Sequence, residues 1–557
     1  MGAVLSVISS VLIVLLFAIL FCFIGKAVLG QVELDNDNDC YILAGSYFIG
    51  MAVYLSVLRT LALFIPSFKI AFWALLIVGI VFFVLRNYRR HIAWIVKRKR
   101  LAISAGVLWV VSTFHALLYR ICVLGENPHV LTSIGTIGSQ RYAGIAAYIV
   151  KQDHVPVLNQ SYGQSLLASF SNMLGRDNLC FALVLWLSLS GAFLCLFLYG
   201  VFRRFFSAGL SVLLVCVVDI GSVSLTLAPI RVVDSDYPLL FSGYTDSVVG
   251  VATFMIFLEM MVRILTKESK LRFSHYLVTA CLVVYWAMSA PHNICILLGA
   301  GFLLLVFLLV RRERFNVKNG IKLACVVMAA CIIGILEGGM LTPSGLVDEV
   351  SVDGVMTVAE GADENLSSQG IVFVPVMNYQ LMKSKDVLWK LGWGYMESIL
   401  DYAVDALHQG SWYVLVHCLT SLWWDSVRII FWPLLGVLGM GLIACQKKDR
   451  EISYWAVLGF SVLAVGYPVA FLISLNGYKW ALSRFAMPFY FLGMMFLAAI
   501  LGRAWRSEKK LYRLISIFSV FVILVGQVGD KLFLYYNNAV NNDMWPAMRD
   551  MMLFTGS

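Results

Sequence analysis

The 557-residue chain is 61% hydrophobic and only 13% charged, with a formal net charge of +10. So few polar side chains cannot cover a soluble domain of this size, which excludes a soluble enzyme and a disordered chain alike. The positive balance does not point to nucleic acid, because the basic residues sit in short clusters between apolar runs, where the positive-inside rule puts them.

The opening run, "GAVLSVISSVLIVLLFAILFCFIG", lacks the basic segment that precedes a cleaved signal sequence, so a retained helix is expected. Apolar runs of about 20 residues, enough to cross about 30 Å of hydrocarbon, then recur along the chain. They predict an all-α, polytopic transmembrane helical bundle of about 14 spans. The spans fall at 3–24, 41–63, 68–86, 101–120, 180–201, 207–228, 246–265, 273–290, 293–310, 320–337, 428–445, 452–474, 486–503 and 513–530. The span at 41–63 carries Arg59 and that at 207–228 carries Asp219, charges for which an apolar setting offers no reason.

Basic clusters at 86–100, 203–206, 267–272, 311–318, 446–451 and 503–513 all fall on one side if the N-terminus is external. An even number of spans then puts the C-terminal tail outside too. The longer, less basic segments 121–179, 229–245, 338–427 and 531–557 face outward, so the chemistry is expected on the external face of a bacterial inner membrane. No inverted repeat of span lengths and no nucleotide-binding glycine loop occur, which leaves a membrane-resident donor or a gradient as the source of energy. The twelve cysteines include no CxxC pair; Cys122 and Cys180 flank an external segment and could pair in an oxidising compartment.

Four external segments carry groups suited to chemistry. From Tyr142 to Val150 the apolar positions recur with helical spacing, predicting a short amphipathic helix along the membrane surface. After it, Asn159, Gln160, Tyr162 and Gln164 can bond hydroxyl groups, or are the solvated amides of an interfacial loop. The next segment holds Asp234, Asp236 and Asp246, with Tyr237 and Tyr244 between them. Asp246 opens a span within "GYTDS", where it or Thr245 serves as a helix cap, or where the carboxylates take a proton from an acceptor hydroxyl or bind a divalent cation. The turn "APHN" places His292 at the external surface, as a solvated tip or a substrate contact. The large loop 338–427 begins acidic and ends aromatic, with Trp389, Trp393, Trp412, Trp423 and Trp424 as interfacial anchors or a sugar-stacking platform.

Near the C-terminal end, "NGYKWALSRFAMPFY" sets Lys479 and Arg484 at the external mouth of a span, against the positive-inside preference. Both stand at the depth of a lipid-linked phosphate: Arg484 with a planar fork for its oxygens, Lys479 with a mobile point charge. Snorkelling from a helix end is the alternative.

This arrangement resembles the GT-C superfamily of integral membrane glycosyltransferases. The resemblance covers residues 101–505 and rests on the large first external segment with its surface helices, on "GYTDSVVG" opening a later span and on "KWALSRFAMPFYF" before a late one. It implies a GT-C-like core in 101–337 with external amphipathic helices, preceded by a three-span addition in 1–100. The large external loop 338–427 and the final spans and external tail, 428–557, complete the division. It also implies inverting transfer of a sugar from a polyprenyl-phosphate donor to an envelope glycan, glycolipid or protein, with Arg484 and Lys479 on the donor phosphate. The family places a catalytic acid soon after its first core span; here Glu126 is the only acid in that segment, so the base stays open among Glu126, Asp234, Asp236 and Asp246. The cofactor is open between a divalent cation such as Mg or Mn and none. Two further classes remain: an O-antigen polymerase or ligase, and a transporter or flippase of lipid-linked substrates.

Overall fold

The computed structural model describes residues 2–34, 38–81, 96, 98–122, 137–156, 163–174, 179–215, 245–267, 271–310, 317–338, 371–373, 408, 432–447, 450–475 and 481–523. Apart from one two-stranded ribbon, the elements in these residues are helices. The stretches Ile8–Gln31, Asp39–Phe64, Leu185–Phe202 and Val249–Thr266 are long and apolar enough to cross a bilayer, and shorter apolar helices accompany them. Of the spans expected at 207–228 and 513–530, residues 208–215 and 510–523 are described, and these are helical.

Helices α1 (Gly2–Gln31) and α2 (Asp39–Phe64) form an antiparallel hairpin. Lys26 is the only charge on α1, whose outer face leaves Leu12 and Ile19 exposed, as lipid contact requires. The two backbones meet at glycines. A Cβ on Gly25 would lie 1.8 Å from the Ser46 carbonyl oxygen, and one on Gly50 would lie 1.8 Å from that of Phe21. Small residues at such crossings let van der Waals contact bind helices that have no hydrophobic driving force in lipid.

Asn38 caps α2 by accepting the Cys40 N–H at 2.9 Å, and Asp39 adds a favourable charge in the first turn. From there α2 is buried almost throughout. It packs against α1, α3 (Phe68–Gly79), α7 (Leu179–Phe202), α8 (Thr245–Lys267) and α9 (Phe273–Ser289). The N-terminal segment thus supplies a central helix of the bundle, not an outer layer.

The charge on Arg59 has a structural explanation. Its buried guanidinium donates to the carbonyl of Glu337, just past the end of α11 (Val317–Leu336), where a cation meets the negative end of the helix dipole. Beside it the Thr60 hydroxyl donates to the Glu337 carboxylate at 2.6 Å, and the Ser56 hydroxyl to the Cys281 carbonyl at 2.8 Å. These bonds join α2, α9 and α11 near one end of the bundle.

The other end is made by two basic segments and one acidic turn. The turn after α1, the turn 203–207 after α7 and the segment between α8 and α9 meet around Glu259, whose side chain is 9% exposed. Its carboxylate accepts the Tyr41 hydroxyl, Arg263 Nη2 at 2.6 Å and Arg204 Nη2 at 3.2 Å. The Arg204 guanidinium also lies 4.6 Å above the Tyr41 ring. Arg263 reaches the Glu33 carbonyl at 3.3 Å, and the pairs Arg272–Glu33 and Arg98–Asp39, both 2.6 Å, rim the cluster. The rim pairs are exposed enough to contribute little, whereas the Glu259 contacts are desolvated.

The remaining helices pack on this frame. Helix α10 (Pro291–Val310) lies against α13 (Arg450–Leu472), and α12 (Trp432–Lys447) crosses α14 (Ala481–Trp505) at another glycine pair. A Cβ on Gly436 would stand 2.0 Å from the Gly493 carbonyl oxygen. The Ser516 hydroxyl donates to the Leu501 carbonyl at 3.0 Å, which fastens the helical residues 510–523 to α14.

Two outcomes are expected in thermal unfolding of the detergent-solubilised protein. Glu259→Ala leaves two guanidinium groups without their shared anion and lowers stability by about 3–5 kcal/mol. Gly25→Ala lowers the unfolding midpoint, whereas Gly106→Ala, with nothing within 4 Å of the added methyl, holds or raises it by helix propensity of about 1 kcal/mol.

Candidate functional site

Among the described residues, the sequence candidates Asp246, His292 and Arg484 lie in the opening turns of three helices that pack on one another. Helices α8 and α14 pack on each other, and both pass the turn 203–207: α8 at Glu259, α14 at Gly502, where a Cβ would lie 3.0 Å from the Phe205 carbonyl oxygen. Asp246 lies 13 residues before Glu259 and Arg484 lies 18 before Gly502, roughly 20 and 27 Å at 1.5 Å per residue. Both first turns therefore lie toward the opposite end of the bundle. Asp246 is the second residue of α8 and Arg484 the fourth of α14. The helix already includes Thr245, so Asp246 belongs to its first turn, where the dipole favours a carboxylate. Pro488, one turn beyond Arg484, lacks the N–H that would bond the Arg484 carbonyl.

On α8, positions 246, 250 and 253 share one face, and the corner between α9 and α10 packs on it. The expectation of a solvated His292 is corrected here. Ala290 alone separates α9 from α10, so His292 and Asn293 fall in the first turn of α10, 1% and 0% exposed. Asn293 Nδ2 donates to the Gly250 carbonyl at 3.0 Å. The Thr253 hydroxyl donates to the Val249 carbonyl at 2.7 Å and accepts Trp286 Nε1 at 3.0 Å. A side chain on Gly250 has no room, since its Cβ would lie 2.8 Å from Ala290 Cβ. Phe254 and Phe257 meet the Trp286 ring edge-on at 5.6 and 5.5 Å. The buried Asn293 carboxamide thus stands about one helical turn from the backbone of Asp246, with His292 next to it in the chain.

The first segment expected to be external contains two helices among its described residues. Helix α5 (Ile137–Gln152) contains Tyr142 and buries Ile145, Ala146 and Ile149 on one face, which matches the expected short amphipathic helix. Residues 163–174, by contrast, are not an interfacial loop. They form α6 (Gly163–Leu174), which includes Gln164 and buries Ser165, Leu166, Ser169 and Phe170. Phe170 meets Phe17 edge-on at 5.2 Å, and the small serines allow close packing against α1 and α7.

Asp153, which the sequence gave no reason to single out, joins α5 to α3. Its backbone is left-handed (φ 55°), a conformation Asp tolerates better than most residues. Its carbonyl accepts the Phe68 N–H at 2.9 Å, while its carboxylate accepts the Ser67 hydroxyl at 2.6 Å and the Lys69 N–H at 2.8 Å. Burial pushes this carboxyl up, but the Ser67 and Lys69 hydrogen bonds and the Lys69 charge together hold it below the ordinary range.

The described residues also include one ribbon. Strand β1 (Ile371–Phe373), from the large loop, pairs antiparallel with β2 (Ile473–Leu475), in the register Ile371 to Leu475 and Phe373 to Ile473. Strand β2 follows α13 directly and leads toward α14. Glu126, Asn159, Gln160, Tyr162, Asp234, Asp236, Tyr244 and Lys479 lie outside the described residues, as do Asp219 and the five loop tryptophans. No group of three or more His, Cys, Asp or Glu side chains able to hold a metal occurs among the described residues. No known protein family, curated protein or solved structure matches this chain.

Protonation of Asp153 removes an acceptor that the fold uses, so its contribution is present above the ordinary carboxylate pKa and is lost as pH falls below about 4. Hydrogen exchange of the first α3 amides is expected to quicken in that window relative to the rest of the bundle. Asp153→Asn should weaken the protection at neutral pH and abolish its acid dependence.

Proposed function

We propose that the protein is a membrane glycosyltransferase that moves a sugar from a polyprenyl-phosphate donor to an envelope glycan, glycolipid or protein acceptor. The observation that supports this reading is that the first turns of α8, with Asp246, and of α14, with Arg484, lie toward the same end of the bundle as the buried His292–Asn293 corner. A carboxylate and a guanidinium are the groups that hydroxyl activation and phosphate departure need. In this reading the chain crosses a bacterial inner membrane about 14 times with both termini outside, and the basic turns around Glu259 face the cytoplasm.

Asp246 takes the proton of the acceptor hydroxyl as its oxygen attacks the anomeric carbon. The bond from that carbon to the donor phosphate breaks, and Arg484, assisted by Lys479, stabilises the departing lipid phosphate. Glu126, Asp234 and Asp236 remain alternative bases. Tyr142, Asn159, Gln160, Tyr162, Gln164, Tyr244 and His292 are the proposed substrate contacts. Mg or Mn at the carboxylates is compatible with this scheme, though a phosphate leaving group already carries its own charge. The structural use of Arg59 removes one of the two charges that a transport path would have used.

Purified protein should transfer radiolabelled sugar from synthetic polyprenyl-phosphate donors to an envelope extract. Asp246→Asn is expected to lower the rate roughly 10²–10⁴-fold, and Arg484→Ala roughly 10²–10³-fold, with folding intact. Polymerisation of lipid-linked oligosaccharide would instead identify a polymerase or ligase. No transfer from any donor, with lipid-linked substrate crossing proteoliposomes, would overturn the reading in favour of a transporter.

A further inference from the structure

The bonds at the α8–α9–α10 corner bear on the first turn of α8 more than on the bundle as a whole. The first N–H groups of a helix have no intrahelical partner, so an opening turn tends to fray. A catalytic carboxylate on such a turn loses effectiveness, since a displacement of about 1 Å can cost roughly 10²-fold in rate. The next turn of α8 is pinned from outside by Asn293 and Trp286, with Thr253 of α8 itself linking Trp286 to the Val249 carbonyl. Asn293 Nδ2 donates to the Gly250 carbonyl at 3.0 Å, Thr253 Oγ1 donates to the Val249 carbonyl at 2.7 Å, and Trp286 Nε1 donates to Thr253 Oγ1 at 3.0 Å. Thr253, Trp286 and Asn293 are all 0% exposed. Gly250 lets the corner approach closely, with Ala290 Cβ 2.8 Å from where its own Cβ would be.

The orientation of the Asn293 amide is set by this chemistry. Turned over, it would set its oxygen against the Gly250 carbonyl, acceptor against acceptor. In the orientation observed, Oδ1 has no hydrogen-bond partner among the described residues, so the amide is held by its donor end alone. A buried acceptor without a partner is unfavourable, and an apolar side chain would avoid that cost. Asparagine at this position therefore points to a role for its donor.

We propose that Asn293 is a positioning residue. Through Gly250, and with Thr253 and Trp286 behind it, it fixes the turn that holds Asp246 against the α9–α10 corner. This deepens the transferase reading and rests on it for the role of Asp246. Asn293 touches no reacting atom; it acts on the backbone one turn away.

The test uses the full-length protein with Asn293→Asp, which keeps the shape and replaces the donor by an acceptor, and with Trp286→Phe, which keeps most of the ring and removes the donor to Thr253. Sugar transfer by Asn293→Asp should fall on the order of tenfold to a hundredfold in kcat, with KM for the lipid donor unchanged. Hydrogen exchange at residues 245–250 should quicken while the rest of the bundle keeps its protection. Trp286→Phe should shift both readouts in the same direction by less, and it serves if Asn293→Asp does not fold. Unchanged exchange at 245–250 in a folded variant, or a rise in KM at constant kcat, would overturn the proposal. If the native protein transfers no sugar at all, the transferase reading fails by itself; quickened exchange then supports the brace and unchanged exchange overturns it.

Discussion

The buried carboxylate of Glu259 is the contact on which the rest of the architecture depends. Taking one carboxylate and parts of two guanidinium groups out of water costs several kcal/mol per ion, offset only when geometry and hydrogen bonding are nearly complete. Here the offset comes from three separate pieces of chain: Tyr41 at the start of α2, Arg204 in the turn after α7, and Arg263 one turn along α8. None of these helices can slide along its axis without stranding a charge. The cluster therefore sets the depth of α2, α7 and α8, and the contact of Gly502 with the same turn sets that of α14.

Polar contacts are concentrated near the helix ends, and much of the interior is aromatic. Around the middle of α1 and α2, Phe17, Phe21, Tyr47 and Tyr54 interlock with Phe72, Phe170 and Phe193; Tyr47 and Phe193 stack at 4.1 Å. Such packing is stiff but does not set the axial position of one helix against another as charges do. Helix α8 is thus held at two levels, by Glu259 toward one end and by Gly250 and Thr253 toward the other. Nine residues, about 14 Å of helix, separate Gly250 from Glu259. A helix clamped at both levels can hold a reactive group at a defined place above an apolar core.

Much of this was legible in the sequence wherever the signal was local. Apolar length located α1, α2, α7 and α8, spacing located the buried face of α5, and the polar patch "GYTDS" located the start of α8. What escaped depends on partners far along the chain. Arg59 looked anomalous because Glu337, which explains it, lies 278 residues away. His292 looked like a turn tip because only tertiary packing reveals that α9 and α10 meet with a single residue between them. Residues 163–174 read as a polar loop because their serines are small enough to be buried, which composition does not register. Tyr41 and Glu259 are 218 residues apart, and neither stands out without the other.

The short ribbon has a consequence in time. Ile473 follows Phe373 by 100 residues, so β1 leaves the ribosome well before its partner exists. At about 5–20 residues per second, that interval is roughly 5–20 s. A three-residue strand cannot persist alone over such a period, so β1 stays unpaired while α12 and α13 are synthesised. Pairing of β1 with β2 is then one of the last events of assembly. The ribbon therefore forms only after α12 and α13, which lie between its two strands in the chain, have been made.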